Sequence, residues 1–162
     1  MTSPISSMRG SLRSIGWITL LFPLFSSAQG NLISVDPPAK LTVRTGETAS
    51  ARLRFVLAPG YHTNSSKPND EYLIPLRLSW DAAPLVVEGI EYPKGKDEKY
   101  AFSDKPVSVY SGSFEVTTRL KAPAGVPLGP RNVPGKLRYQ ACTTNMCMPP
   151  KTLTFQLPVE VR

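Results

Sequence analysis

Beyond its first 28 residues this chain nowhere holds apolar side chains at the 3.6-residue spacing of a helix; it alternates them. Ala51, Leu53, Phe55 and Leu57 are interleaved with Arg52, Arg54 and Val56, and Leu76, Leu78 and Trp80 share one face of the next run. Leu137, Tyr139 and Ala141 alternate with Arg138 and Gln140, and Leu153, Phe155 and Leu157 with Thr152, Thr154 and Gln156. A period of two buries one face of a strand and wets the other. Turn formers at Gly46-Glu47, Pro59-Gly60 and Ser111-Gly112 punctuate these short runs. The pattern predicts an all-β fold, an antiparallel β-sandwich.

Further strands are predicted at Leu41–Thr45, at Leu85–Glu91, and over Val107–Leu120 as one strand or two broken near Ser111-Gly112. Gln29–Lys40 reads as a lead-in stiffened by Pro37-Pro38, and polar Asn64–Asp70 as a loop. Pro123–Gly135, with four prolines and three glycines, reads as a long connection. There is no internal repeat.

Residues 1–28 have the make-up of a secretory signal peptide. Arg9 and Arg13 precede the apolar Ile15–Phe25, and Ser26-Ser27-Ala28 offers small residues for cleavage before Gln29. The apolar run is eleven residues and contains Pro23, against about twenty needed to span a bilayer. No cysteine lies near the cleavage site, which argues against a lipoprotein. Removing this segment leaves residues 29–162, enough chain for one domain with a real core. Nineteen Lys and Arg face twelve Asp and Glu; without Arg9 and Arg13 it is seventeen against twelve. Those charges are spread singly, with no basic run and no interleaved aromatics, which argues against nucleic-acid binding. A monomer without a cofactor or resident metal is expected.

The chemistry concentrates in Leu137–Leu153, LRYQACTTNMCMPPKTL, which holds the only two cysteines. Thr143, Thr144, Asn145 and Met146 are too few for a helix and suit a hairpin tip, so Cys142 and Cys147 face each other across its mouth. A non-hydrogen-bonded antiparallel pair brings Cα atoms to about 4.5 Å, at the short end of disulfide geometry. The six-residue ring is a weak staple, worth about 2 kcal/mol against about 4.7 kcal/mol for a hundred-residue loop. A tip position leaves sulfurs accessible to thiol–disulfide exchange. Two other readings stand beside that one: a local structural disulfide in an exported binding module, and a Cu(I) site using Met146 and Met148 beside the thiolates. Strand alternation argues against the last by sending both methionines away from the sulfurs.

Tyr139-Gln140-Ala141-Cys142 through Cys147-Met148-Pro149-Pro150 resembles the active-site hairpin of the N-terminal periplasmic domain of DsbD, the transmembrane thiol:disulfide interchange protein. Gly60–Leu78 (GYHTNSSKPNDEYLIPLRL) and Tyr100–Gly112 (YAFSDKPVSVYSG) match in the same order. The resemblance implies an immunoglobulin-like fold, Cys142 and Cys147 as the exchanging pair, and thioredoxin-fold periplasmic proteins as partners. It also implies an acidic loop closed by an aromatic lid over the disulfide. Asp97 and Glu98 with Tyr100 or Phe102, in KDEKYAF, are the nearest match; the spacing differs by Lys99 and more. The alternative for Asp97 and Glu98 is a solvated loop among Lys94, Lys96 and Lys99. His62, the only histidine, is placed in the Gly60–Asn64 turn, either as a packing group or as a proton-handling neighbour of the cysteines. Tyr61 and Tyr139 wall the site or belong to the core. No transmembrane segment follows and the sequence stops at Arg162, so a membrane-embedded thiol reductase acting as donor would be a separate protein.

Overall fold

The computed structural model describes residues 30–162; the signal peptide expected at 1–28 lies outside the described residues. Strands β1 (Ile33–Val35), β2 (Leu41–Val43), β3 (Thr48–Leu57), β4 (His62–Asn64), β5 (Arg77–Trp80) and β6 (Val86–Glu91) make up the first half. They are followed by β7 (Lys96–Glu98), β8 (Val107–Ser111), β9 (Ser113–Lys121), β10 (Gly129–Tyr139), β11 (Ala141–Cys142) and β12 (Lys151–Val161). Among the described residues no helix is long and apolar enough to cross a membrane.

Two sheets of long strands, β1-β3-β9-β6 and β2-β12-β10-β5, face each other, and a third sheet of short strands has the order β11-β4-β8-β7. The alternating residues meet between the first two sheets. Leu53, Phe55 and Val116 from one side join Leu78, Leu137 and Leu153 from the other, and Ala51 and Leu120 join Val133, Leu157 and Val159 further along. This is the all-β sandwich expected from the period of two, and the immunoglobulin-like fold that the resemblance to the DsbD N-terminal domain implies. Trp80 fits this core because its indole N–H donates to the buried Thr118 hydroxyl at 3.1 Å. Its ring meets Phe155 edge-on, 5.4 Å between centroids. Both rings lie over Gly135, where a Cβ would stand 2.7 Å from Phe155 and 2.8 Å from Trp80.

Four features differ from the sequence reading. Within the lead-in, β1 pairs with the end of β3, Ile33 opposite Leu57; three residues are too few to display a period. The proline-rich connection starts β10 at Gly129, with Pro134 opposite Gln156 and Pro130 opposite Glu160. The Pro134 carbonyl accepts from the Asp81 N–H at 2.9 Å, so it points away from β12. In an antiparallel strand N and C=O of one residue face the same side, so the missing N–H of Pro134, and of Pro130 four residues earlier, costs the β12 ladder nothing. The sandwich is not wholly antiparallel, since β2 runs parallel to β12 with Leu41 opposite Val159. Finally, His62 lies on strand β4 and not in a turn. At Gly112, with φ +62°, the chain breaks between β8 and β9, the second of the two options the sequence left open.

Candidate functional site

β10 does not run directly into the cysteine hairpin. At Gln140 the chain leaves the β10–β12 ladder and joins the third sheet, where β11 pairs with β4. The Gln140 side-chain amide donates to the Met148 carbonyl at 3.1 Å, bridging the two arms at the point of departure. Beyond it, the Met148 N–H donates to the Ala141 carbonyl and the Thr143 N–H to the Met146 carbonyl, both at 2.8 Å. Those two bonds bracket Cys142 and Cys147, which bridge as the non-hydrogen-bonded pair between them. The tip is Thr144-Asn145, and the Thr143 hydroxyl accepts from the Asn145 and Met146 N–H groups at 3.3 Å each. The cysteines are joined in a disulfide with Cα atoms 3.9 Å apart. The expectation of two accessible sulfurs holds for one residue only: Cys142 is fully buried, while Cys147 is half-buried at the surface. Cys142 is covered because β11 is paired on its other side by β4.

Cys142 stands directly opposite His62 on β4. Because Cys142 and Cys147 form a non-hydrogen-bonded pair, the Cys142 main-chain polar groups face β4, and its side chain shares one face of the sheet with that of His62. The His62 ring stacks on Tyr100, 4.0 Å between centroids, and Tyr100 stacks on Phe102 at 5.3 Å. Tyr100 and Phe102 pack in turn on Leu73, Val107 and Val109. The Tyr100 hydroxyl donates to Glu98 at 2.6 Å, and Lys96 pairs with the same carboxylate at 3.0 Å. Those two partners hold the Glu98 carboxyl below its usual range, the hydroxyl being the larger influence. Desolvation raises the Tyr100 phenol, with Glu98 adding to it. Burial lowers His62, opposed in part by the Glu98 charge. His62 is 4% exposed and its Nε2 has no hydrogen-bond partner. A cavity of about 410 Å³ joins this cluster to the hairpin, lined by His62, Glu98, Tyr100 and Thr144.

Other residues singled out from sequence lie elsewhere. Tyr61 lines a second cavity, about 630 Å³, with Tyr139, Ala141, Met148, Pro149 and Pro150. Alternation puts Ala141 and Met148 on the opposite side of the hairpin from Cys142 and Cys147, so the two tyrosines stand behind the disulfide. Tyr139 is a core residue, and burial raises its phenol. Asp97 points away from Glu98 and accepts from the Asn69 amide at 3.1 Å. Met146 is exposed at the tip. The sequence reading missed Gln140 and Thr143, which fix the hairpin's junction and tip. A threonine just before a two-residue turn was the one local signal available.

Fold and site together define a β-sandwich protein carrying a cross-strand disulfide at a hairpin tip beside an aromatic stack. The chain belongs to the family of the N-terminal domain of the thiol:disulfide interchange protein DsbD, whose family model matches residues 29–158. Among solved structures, the crystal structure of the N-terminal periplasmic domain of ScsB from Proteus mirabilis is similar in fold at 16% identity and a TM-score of 0.54. That match covers 82% of this chain and 48% of the other, so this chain spans about half the length of the solved one. A family 123 glycoside hydrolase from Clostridium perfringens is similar at 14% identity over 76% of this chain and 22% of the enzyme; its TM-score of 0.35 carries no argument. No curated protein matches the chain.

Proposed function

We propose that this protein is an exported, periplasmic thiol–disulfide exchange module that passes electrons between thioredoxin-fold proteins through a reversible Cys142–Cys147 disulfide. The observation that carries this is the asymmetry of the pair, Cys142 fully buried against β4 and Cys147 at the surface. Exchange needs in-line approach to one sulfur and departure of the other. Cys147 is therefore the sulfur a partner reaches, and Cys142 the one that leaves and resolves. In the reducing direction, the Cys147 thiolate attacks a partner disulfide and forms a mixed disulfide. Cys142 then attacks Cys147, the partner leaves as a dithiol, and the two electrons have moved from this protein to the partner.

The surroundings suit such a role. Pro149 and Pro150 carry no N–H and are exposed, so the outer edge of the hairpin beyond Cys147 is open to another protein. The aromatic stack of His62, Tyr100 and Phe102 acts as a lid on the cysteine face of the third sheet, with Tyr100 the ring that stacks directly on His62. Glu98, kept ionised by Tyr100 and Lys96, disfavours a second negative charge nearby and so keeps the reduced thiols protonated until a partner docks. The contact is small and transient, below about 1,200 Å², and the electrons come from a membrane-embedded thiol reductase.

Single-cysteine variants in the native envelope test the reading. Cys142→Ala, which leaves the surface sulfur, accumulates a mixed disulfide with a thioredoxin-fold protein identifiable by mass spectrometry; Cys147→Ala does not. If neither variant traps a partner while the wild type still binds envelope proteins non-covalently, the protein is a binding module with a structural disulfide.

A further inference from the structure

Opening the disulfide at Cys147 places the displaced negative charge on Cys142, a residue with no solvent exposure. An isolated thiolate there has lost its hydration, and burial makes the charged form costly unless a proton or a hydrogen-bond donor is at hand. The groups packed around it can be enumerated. From β4 the directly opposite residue is His62, from β8 Ser111 stands on the far side of His62, and the lid contributes Tyr100 over the imidazole. Glu98 from β7 bears on His62 by charge and is itself paired with Lys96. Of these, only His62 both neighbours Cys142 in the ladder and carries a ring that ordinarily titrates near neutral pH, a titration that burial moves to the acid side. A buried nitrogen without a partner is costly in a finished structure, and here it belongs to the residue directly opposite Cys142, whose sulfur needs a proton only during reaction. It is Nε2 of a ring 4% exposed.

We infer that His62 is the proton partner of Cys142, giving its proton to the Cys142 sulfur as the disulfide opens and taking it back as the disulfide re-forms. The inference rests on the exchange reading and adds a named proton donor to it. When a donor thiolate attacks Cys147 Sγ, the new S–S bond forms there and the Cys142–Cys147 bond breaks. The electron pair of that bond goes to Cys142 Sγ, which receives the proton from the His62 imidazolium. Neutral imidazole, a thiol and a mixed disulfide result. In reverse, His62 takes the Cys142 proton, the thiolate attacks Cys147 Sγ, and the partner departs with the electron pair. The aromatic stack has a second use in this account, since Tyr100 across the His62 face holds the ring in place and screens it from water.

Dithiothreitol can replace the protein partner in the test. The rate of opening of the oxidised protein is measured from about pH 4 to pH 8, spanning the ordinary histidine range, and divided by the concentration of dithiothreitol thiolate. The wild type is expected to show a rate per thiolate that falls as pH rises through the His62 titration. His62→Gln is expected to be flat, and slower by about tenfold or more at the acidic end, in line with general-acid effects of 10²–10⁴. Glu98→Gln should keep the inflection, which assigns it to the imidazole. A flat wild-type profile overturns the proposal whether or not any variant folds, and so does a His62→Gln profile that superimposes on the wild type. Either outcome leaves the exchange reading standing, because the disulfide has still opened. A disulfide that dithiothreitol opens at no pH overturns both.

Discussion

Glu98 is the residue on which the lid's local balance turns. Its carboxylate accepts from the Tyr100 hydroxyl at 2.6 Å and pairs with Lys96 at 3.0 Å. Tyr100→Phe removes the larger of these influences, so the Glu98 carboxyl should move up toward its ordinary range in an NMR titration. The lid loses one charge-assisted hydrogen bond, about 1 kcal/mol at a part-buried site, and opening by dithiothreitol should quicken several-fold. His62 and Glu98 also set the acid side of stability. Both are lowered in the folded state, so in each case the unfolded chain binds the proton more readily. The contribution of His62 is complete above its unfolded value of about 6.5 and is lost as pH falls below it; that of Glu98 is lost further down, toward its folded value. Chemical denaturation across this range should show stability declining below pH 6.5 in the wild type and a weaker decline there in His62→Gln. An identical decline in both would place its origin elsewhere.

At the scale of elements, the sandwich depends on a few close approaches that admit no alternative. Gly135→Ala would drive a methyl group into the Phe155 and Trp80 rings. Overpacking of this kind costs about 1–3 kcal/mol, read as a lower denaturation midpoint at unchanged slope, while the exchange rate with dithiothreitol should stay the same. A midpoint equal to the wild type would show that the two rings can yield. Period-two alternation made β3, β12 and the end of β10 from Leu137 legible because each has one wet face and one buried face. It could not reveal β1 or β4. β1 is three residues long, and all three β4 residues, His62, Thr63 and Asn64, are buried, so no alternation exists to be read. The place of β4 in the third sheet is thus invisible to patterning, and with it the pairing of His62 with Cys142. The cysteine hairpin was legible from spacing and turn chemistry. Its asymmetry was not, because burial of Cys142 comes from β4, some eighty residues earlier in the chain.

Across the whole molecule the disulfide contributes little to holding the fold. The two long sheets meet in a core that no part of the hairpin tip joins beyond Tyr139 and Ala141. The six-residue ring is worth about 2 kcal/mol, against about 5–15 kcal/mol for an ordinary domain. The reduced protein should therefore remain folded, its denaturation midpoint lowered by an amount corresponding to about 2 kcal/mol, with the circular dichroism of the sandwich retained. A protein free to lose its disulfide and keep its fold is what an electron carrier requires, and the measurement that bears on this most directly is the redox equilibrium of the pair. Thiol trapping of Cys142 and Cys147 after equilibration in graded glutathione buffers should find oxidised and reduced protein interconverting across the buffer series. A potential far below about −300 mV, with the pair still oxidised in the most reducing buffer, would mark an inert structural bond and contradict the exchange function.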